Sequence, residues 1–230
     1  MKETTVIFDL FGTLVSNFST EGYYDALTRM AEALELTPDD FKQAWFSTLK
    51  ERNIGPSQSC TTDVECICRE LKKTPSENQI QLAVQARLDY IRYVMTPQLH
   101  AVETLLLLKE CGYKTGLLSN CSHEIPIIWP ETQFAPLMDT TVFSCQVNMK
   151  KPDQRIYRLI TERLGVRSDE CLFVGDGGSH ELSAALEIGM HPVLYRPDAD
   201  STEQHLKNRE EWEGPEITSL ADVMSVLSGG

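Results

Sequence analysis

Nowhere in its 230 residues does the chain hold an apolar run of the length a bilayer-spanning helix needs. Positive charge is also scarce: 21 lysines and arginines stand against 34 acids, for a formal net charge of -13. That balance argues against a nucleic-acid partner and against an anionic membrane surface. An anionic substrate therefore requires a local cationic site that offsets the overall field. Cysteine is present without a pattern. The seven residues (Cys60, Cys66, Cys68, Cys111, Cys121, Cys145 and Cys171) are odd in number and irregularly spaced. Cys66-Ile67-Cys68 lacks the spacing of a zinc knuckle, and no histidine pair completes such a site. Residues 1–10 run into a strand without a signal-peptide pattern. The expectation is a reduced, cytoplasmic protein with buried thiols. There is no internal repeat and no low-complexity segment.

What is present begins with Thr4-Thr5-Val6-Ile7-Phe8, a β-branched and aromatic run with the composition of a buried strand. It ends in Asp9-Leu10-Phe11-Gly12-Thr13-Leu14, an acid and then a glycine turn. Open α/β sheets place their chemistry at such strand ends. A helical section follows, with apolar residues at three-to-four spacing over 22–36, 38–52, 61–71 and 76–94. Thr37-Pro38-Asp39-Asp40 and Thr74-Pro75-Ser76-Glu77 mark helix starts. Asn53 to Ser57 splits the block into two pairs. From Pro97 the pattern changes to alternating helices and strands, with strands expected at 113–118, 141–144, 171–174 and 192–195. An edge element at 212–217 and a helix at 219–227 close the chain. The fold expected is α/β: a doubly wound, Rossmann-like parallel sheet with an inserted helical cap. Residues 1–15 and 96–230 form the core, and 16–95 the cap.

In a parallel sheet the carboxyl ends of all strands lie on one edge, so scattered polar residues can converge. Asp9, Ser119-Asn120, Lys151 and Asp176 stand at such ends or in the turns after them, with Glu181 shortly beyond Asp176. Asp9 has the chemistry of a nucleophile or metal ligand, and Ser119 and Asn120 of donors to an anion. Lys151 can balance negative charge. Asp176 and Glu181 offer oxygen ligands to a hard cation. Each has a plainer reading: a turn cap, a helix cap, a solvated loop.

Together, Asp9 through Leu14, Leu118-Ser119-Asn120, Lys151-Pro152-Asp153 and Val174-Gly175-Asp176 through Glu181 resemble the haloacid dehalogenase superfamily of hydrolases over nearly the whole chain. The cap after the first motif fits its subfamily with a helical insertion there. The resemblance implies that Asp9 attacks the substrate and forms a covalent intermediate that water hydrolyses. It assigns Asp9, Thr13 and Lys151 to catalysis, and Phe11, Gly12, Ser119, Asn120 and Phe46 to contact with a small anionic metabolite. Magnesium would be held by Asp9, the backbone carbonyl of Phe11, Asp176 and Glu181. The protein is expected as a monomer or homodimer.

The motifs point two ways. The superfamily's phosphatases carry a second Asp, as general acid, where this chain has Phe11, and its 2-haloacid dehalogenases have an aromatic residue there. Lys151 through Tyr157 also resembles the dehalogenase form. Asp176 and Glu181 instead resemble the magnesium-binding acids of the phosphatases, a cofactor the dehalogenases do without. The arginine that many dehalogenases use to hold a substrate carboxylate aligns with Phe46, near Arg52. The first expectation is magnesium-dependent hydrolysis of a phosphorylated metabolite with a good leaving group, which needs little help from an acid. The alternative is metal-independent carbon–halogen cleavage, and a third reading is a non-catalytic binding protein. Tyr23, Tyr24, Trp45, Phe46 and Tyr93 are cap candidates for facing the substrate. Gly177, Gly178 and His180 have no assigned role.

Overall fold

The computed structural model describes residues 3–16, 19–54, 59–197 and 209–229. Its sheet has six parallel strands: β1 (Thr5–Phe8), β2 (Lys114–Ser119), β3 (Thr140–Phe143), β4 (Cys171–Gly175), β5 (His191–Tyr195) and β6 (Glu216–Ile217). Their order is β3-β2-β1-β4-β5-β6, so β1 is central, paired with β2 on one side and β4 on the other. Successive side chains of a strand point to opposite faces. Accordingly Val6 and Phe8 join one apolar cluster while Ile7 joins another. The first cluster packs under α6 (Ala101–Glu110), α7 (Glu124–Ile128) and the closing helix α11 (Val223–Ser228). The second packs under α9 (Gln154–Leu164) and α10 (Glu181–Glu187). Burial on both faces is why these strands read as apolar runs without alternation. A short helix, α8 (Ser144–Val147), begins at Ser144, which the sequence pattern had placed in β3.

The chain leaves the sheet at Val15 and returns at Pro97. These two residues form an antiparallel bridge, and the Gln98 amide donates to the Leu14 carbonyl at 2.8 Å. Between them lie α1 (Thr20–Ala33), α2 (Pro38–Ser47), α3 (Leu49–Ile54), α4 (Cys60–Glu70) and α5 (Glu77–Val94). They carry their own apolar core around Leu27, Met30, Phe41, Trp45 and Ile67. The single helix expected over 38–52 is interrupted at Thr48. There the Ser47 and Thr48 hydroxyls bond back to the Ala44 and Trp45 carbonyls, competing with the helical ladder. Ser76 caps α5 in a reciprocal box with Gln79, as a helix start there requires. Thr37 donates to the Asp40 carboxylate and makes no side-chain cap on α2. Part of the loop expected at 53–57 lies outside the described residues. All seven cysteines are free, five of them buried. Among the described residues no helix is long and apolar enough to cross a membrane.

Candidate active site

Asp9 stands one residue past β1, its amide still bonded to the Val174 carbonyl of β4 at 2.9 Å. The chain then curls tightly: the amides of Leu14 and Val15 converge on the Leu10 carbonyl. Gly12 takes a φ of +82°, where a side chain is strained. This turn carries the buried Thr13 hydroxyl back toward Asp9 Oδ2, at 3.4 Å. From the other side Lys151 Nζ donates to Asp9 Oδ1 and to Glu181 Oε2. All three side chains are almost fully buried.

Lys151 is held by Asn120. The Asn120 amide accepts from the Lys151 backbone N–H at 2.8 Å and donates to its carbonyl at 3.0 Å. The end of β2 thereby fixes the main chain that supplies the lysine. Glu181, the first residue of α10, also accepts from the Gly177 amide through Oε1 at 3.1 Å. It fits because Gly175 has no Cβ, which would overlap the Glu181 carboxylate. Asp176 accepts the Gly178 amide at 2.9 Å and faces Arg209 Nη2 at 3.4 Å. Arg209 is brought there by Glu210, whose amide bonds to the Gly177 carbonyl and whose carboxylate receives the Leu182 and Ser183 amides of α10.

Burial pushes the Asp9 carboxyl above its ordinary value; Lys151 pulls it down and Asp176 adds to the rise. Glu181 is raised further, for the same first reason, again against Lys151. Burial works against the charge on Lys151, but Asp9 and Glu181 outweigh it and hold the ammonium firmly protonated. Among the described residues the acids outnumber the cations that touch them. One oxygen each from Asp9, Asp176 and Glu181 lie within 4.8 Å of one another, all three residues buried. Lys151 and Arg209 are the cations in contact with them. An all-oxygen, net-negative, buried donor set fits a hard divalent cation.

Of the other residues expected at the site, Ser119 is fully buried beside the Cys121 thiol, and among the described residues its hydroxyl has no oxygen or nitrogen partner. Asn120 is committed to Lys151 and, at 3.4 Å, to Ser179. Phe46 is half exposed and stacks on Tyr23, with ring centroids 5.8 Å apart. Among the cap aromatics Tyr23 lines a cavity shared with Phe11, whereas Trp45 is buried in the cap core and Tyr93 is exposed. Ser179 and His180 both adopt left-handed backbone, closing the turn that starts at Asp176. Arg209 and Glu210 were not anticipated. They sit in an acidic stretch with no motif, and only the fold brings them to the Asp176 loop.

Residues 3–189 match the family model for haloacid dehalogenase-like hydrolases. The chain belongs to that family. An (S)-2-haloacid dehalogenase of Pseudomonas putida is 25% identical over 199 residues, covering 83% of this chain and 82% of the relative. A glyceraldehyde 3-phosphate phosphatase of Methanopyrus kandleri is 25% identical over 196 residues, covering 83% of each. In fold, a phosphatase of the family from Thermococcus onnurineus superimposes with a TM-score of 0.65 at 20% identity, covering 100% of this chain and 99% of its own. This family member, a hydrolase, is thus similar both to dehalogenases and to phosphatases.

Proposed function

We propose that this haloacid dehalogenase-like hydrolase removes the phosphoryl group from a small anionic metabolite with a good leaving group, using magnesium. The observation that carries the reading is the buried trio of Asp9, Asp176 and Glu181, whose oxygens lie within 4.8 Å of one another and which, among the described residues, outnumber the cations that touch them. Asp9 and Asp176, with the Phe11 carbonyl, would hold the ion, and Glu181 would support it while orienting Lys151. Bound there, magnesium would neutralise charge on the transferred phosphoryl group. An Asp9 oxygen attacks phosphorus, the bond to the leaving oxygen breaks, and an aspartyl phosphate forms. Water then attacks phosphorus and regenerates the Asp9 carboxylate, its proton leaving with phosphate. Lys151 holds Asp9 in place and balances its charge, and the Thr13 and Ser119 hydroxyls offer donors to the anion. Phe11 supplies no proton, so the leaving group has to depart unaided, as from an acyl or enol phosphate.

One observation favours a second reading. Arg209 already faces Asp176, and Phe11 stands where the acid would be, an arrangement compatible with halide departure without a metal. Asp9 would then displace halide from carbon to form an ester that water hydrolyses.

The deciding experiment follows phosphate release from acetyl phosphate and halide release from 2-chloropropionate, each with magnesium and with EDTA. Phosphate release that stops with EDTA and fails in Asp176→Ala is expected. Halide release indifferent to EDTA would overturn the phosphatase reading in favour of the second, and neither product would leave only a binding protein.

A further inference from the structure

The three acids of the site divide their cations unevenly. Lys151 contacts Asp9 and Glu181, whereas Arg209 contacts Asp176, with Nη2 3.4 Å from Oδ2. The Arg209 and Asp176 side chains are only 5% and 10% exposed, so solvent and salt screen the pair weakly. Arg209 comes from the stretch between β5 and β6, outside the strand-end motifs. Its main chain is fastened to the loop it serves. Gly178 and Arg209 form an antiparallel bridge, and the Glu210 amide donates to the Gly177 carbonyl at 2.9 Å. The buried Glu210 carboxylate accepts the Leu182 and Ser183 amides near the start of α10, at 2.6 and 3.1 Å.

None of these fastening bonds uses the guanidinium. The backbone therefore keeps residue 209 beside Asp176 whatever side chain it carries, and a tethered group competes for its partner at high effective concentration. Charge sets the consequence. Counted as carboxylates, Asp9, Asp176 and Glu181 carry three negative charges. The two cations that touch them, among the described residues, leave a surplus of one. A divalent ion brings two. It would draw on the same Asp176 carboxylate as Arg209, and the two cations would repel each other in a buried setting where charge interactions are strong. Without the guanidinium the surplus is two, equal to the charge of the ion.

We propose that Arg209 sets how strongly the site holds a divalent cation, as a tethered counter-charge that the ion must displace from Asp176. Acting through Asp176, Arg209 is a positioning residue and takes no part in bond breaking. The inference rests on the reading of Asp9, Asp176 and Glu181 as a magnesium site, and it names the residue that decides how far that site fills. A strong Arg209 contact keeps the ion weakly bound, and in the limit the guanidinium takes the ion's place altogether.

The test measures metal binding without turnover. Magnesium alone is titrated calorimetrically into the full chain and into Arg209→Gln, Arg209→Met and Arg209→Lys, and each is melted with magnesium and with EDTA. The two neutral variants should bind magnesium at least about tenfold more tightly than the parent. Their melting temperatures should also rise more on adding magnesium. Arg209→Lys keeps the charge and should stay closer to the parent than to Arg209→Gln. Arg209→Met retains an apolar stem and decides the matter should Arg209→Gln not fold. A purely structural role would give the opposite sign, since a loosened loop weakens binding in every variant. Magnesium bound by the parent and held no more tightly by the neutral variants would overturn the inference and leave the phosphatase reading standing. Arg209→Lys binding as tightly as Arg209→Gln would overturn the counter-charge as the cause. Binding by the neutral variants but not by the parent would support the inference and count against the phosphatase reading alone. No binding by any of the four would overturn both.

Discussion

Arg87 of the cap and Glu124 of the core form an ion pair at 2.7 Å with both side chains essentially shut off from water. It joins the longest cap helix to the helix that follows the Ser119-Asn120 strand end. Burial alone would raise the Glu124 carboxyl, but the charge of Arg87, with Ser122 and Arg52, wins and lowers it to about 2. A carboxylate depressed in the folded state contributes stability that is complete above its unfolded value. That contribution is lost as pH falls toward the folded one. The window therefore runs from about pH 4.5 down to about pH 2. A shift of that size corresponds to roughly 3 kcal/mol. Thermal melts over this range should show acid destabilisation that is much reduced in an Arg87→Met/Glu124→Leu double variant. A single Glu124→Gln change should cost about 3–5 kcal/mol, because Arg87 is then left charged and buried.

Asp9→Asn keeps the shape of the site and removes the nucleophile. Turnover should fall by at least about 10³-fold under either reaction, with a melting temperature no lower than that of the parent. A folded variant with substantial residual rate would remove Asp9 from the nucleophile's role.

Glu181→Gln takes away one of the two carboxylates that hold Lys151. The ammonium then has only Asp9, and its placement loosens. A loss of about ten- to hundredfold in kcat is expected, with circular dichroism unchanged. An unaltered kcat would show that Asp9 and the Asn120 clamp suffice to position the lysine.

Phe11→Asp restores a proton donor at the position where the chain has none. If the reaction is phosphoryl transfer, hydrolysis of simple alkyl phosphates should rise by about 10² or more, while acetyl phosphate gains little. Parallel gains on both substrates would mean that Phe11 limits access to the site and does not select leaving groups.

The sheet and the reacting edge were legible because they depend on local signals: apolar runs, their polar ends, and glycine where the backbone turns. Asp9, Lys151, Asp176 and Glu181 could be gathered from scattered positions because parallel topology brings strand ends together. The partners of these residues were less visible. Asn120 looked like a ligand-binding donor, yet its amide is spent on the Lys151 backbone, a pairing that needs the third dimension. Arg209 carries no local pattern at all. Arg52 and Arg87 look like ordinary helix residues in sequence. Only the packing of cap on core shows that both are buried beside one cavity. Helix ends were misjudged where hydroxyls at Ser47 and Thr48 turned back on the preceding carbonyls.

The bridge between Val15 and Pro97 has a consequence for how the molecule assembles. β1 pairs with β2, whose first residue is Lys114, so the central ladder joins segments far apart in the chain. Closing a loop of doubled length costs only about 0.6 kcal/mol more, but parallel pairing across a long insertion is slow to find. With Val15 and Pro97 bridged, the insertion contributes a short effective loop once its own core has formed. The expected order has the insertion closing before the sheet's centre registers, which φ-values at Met30 of the insertion and Ile7 of β1 would check. A different helical block joined at these two residues should keep the register of β1 with β2 only if it also covers the surface that Ile91, Val94 and Met95 cover now and pairs Glu124 as Arg87 does.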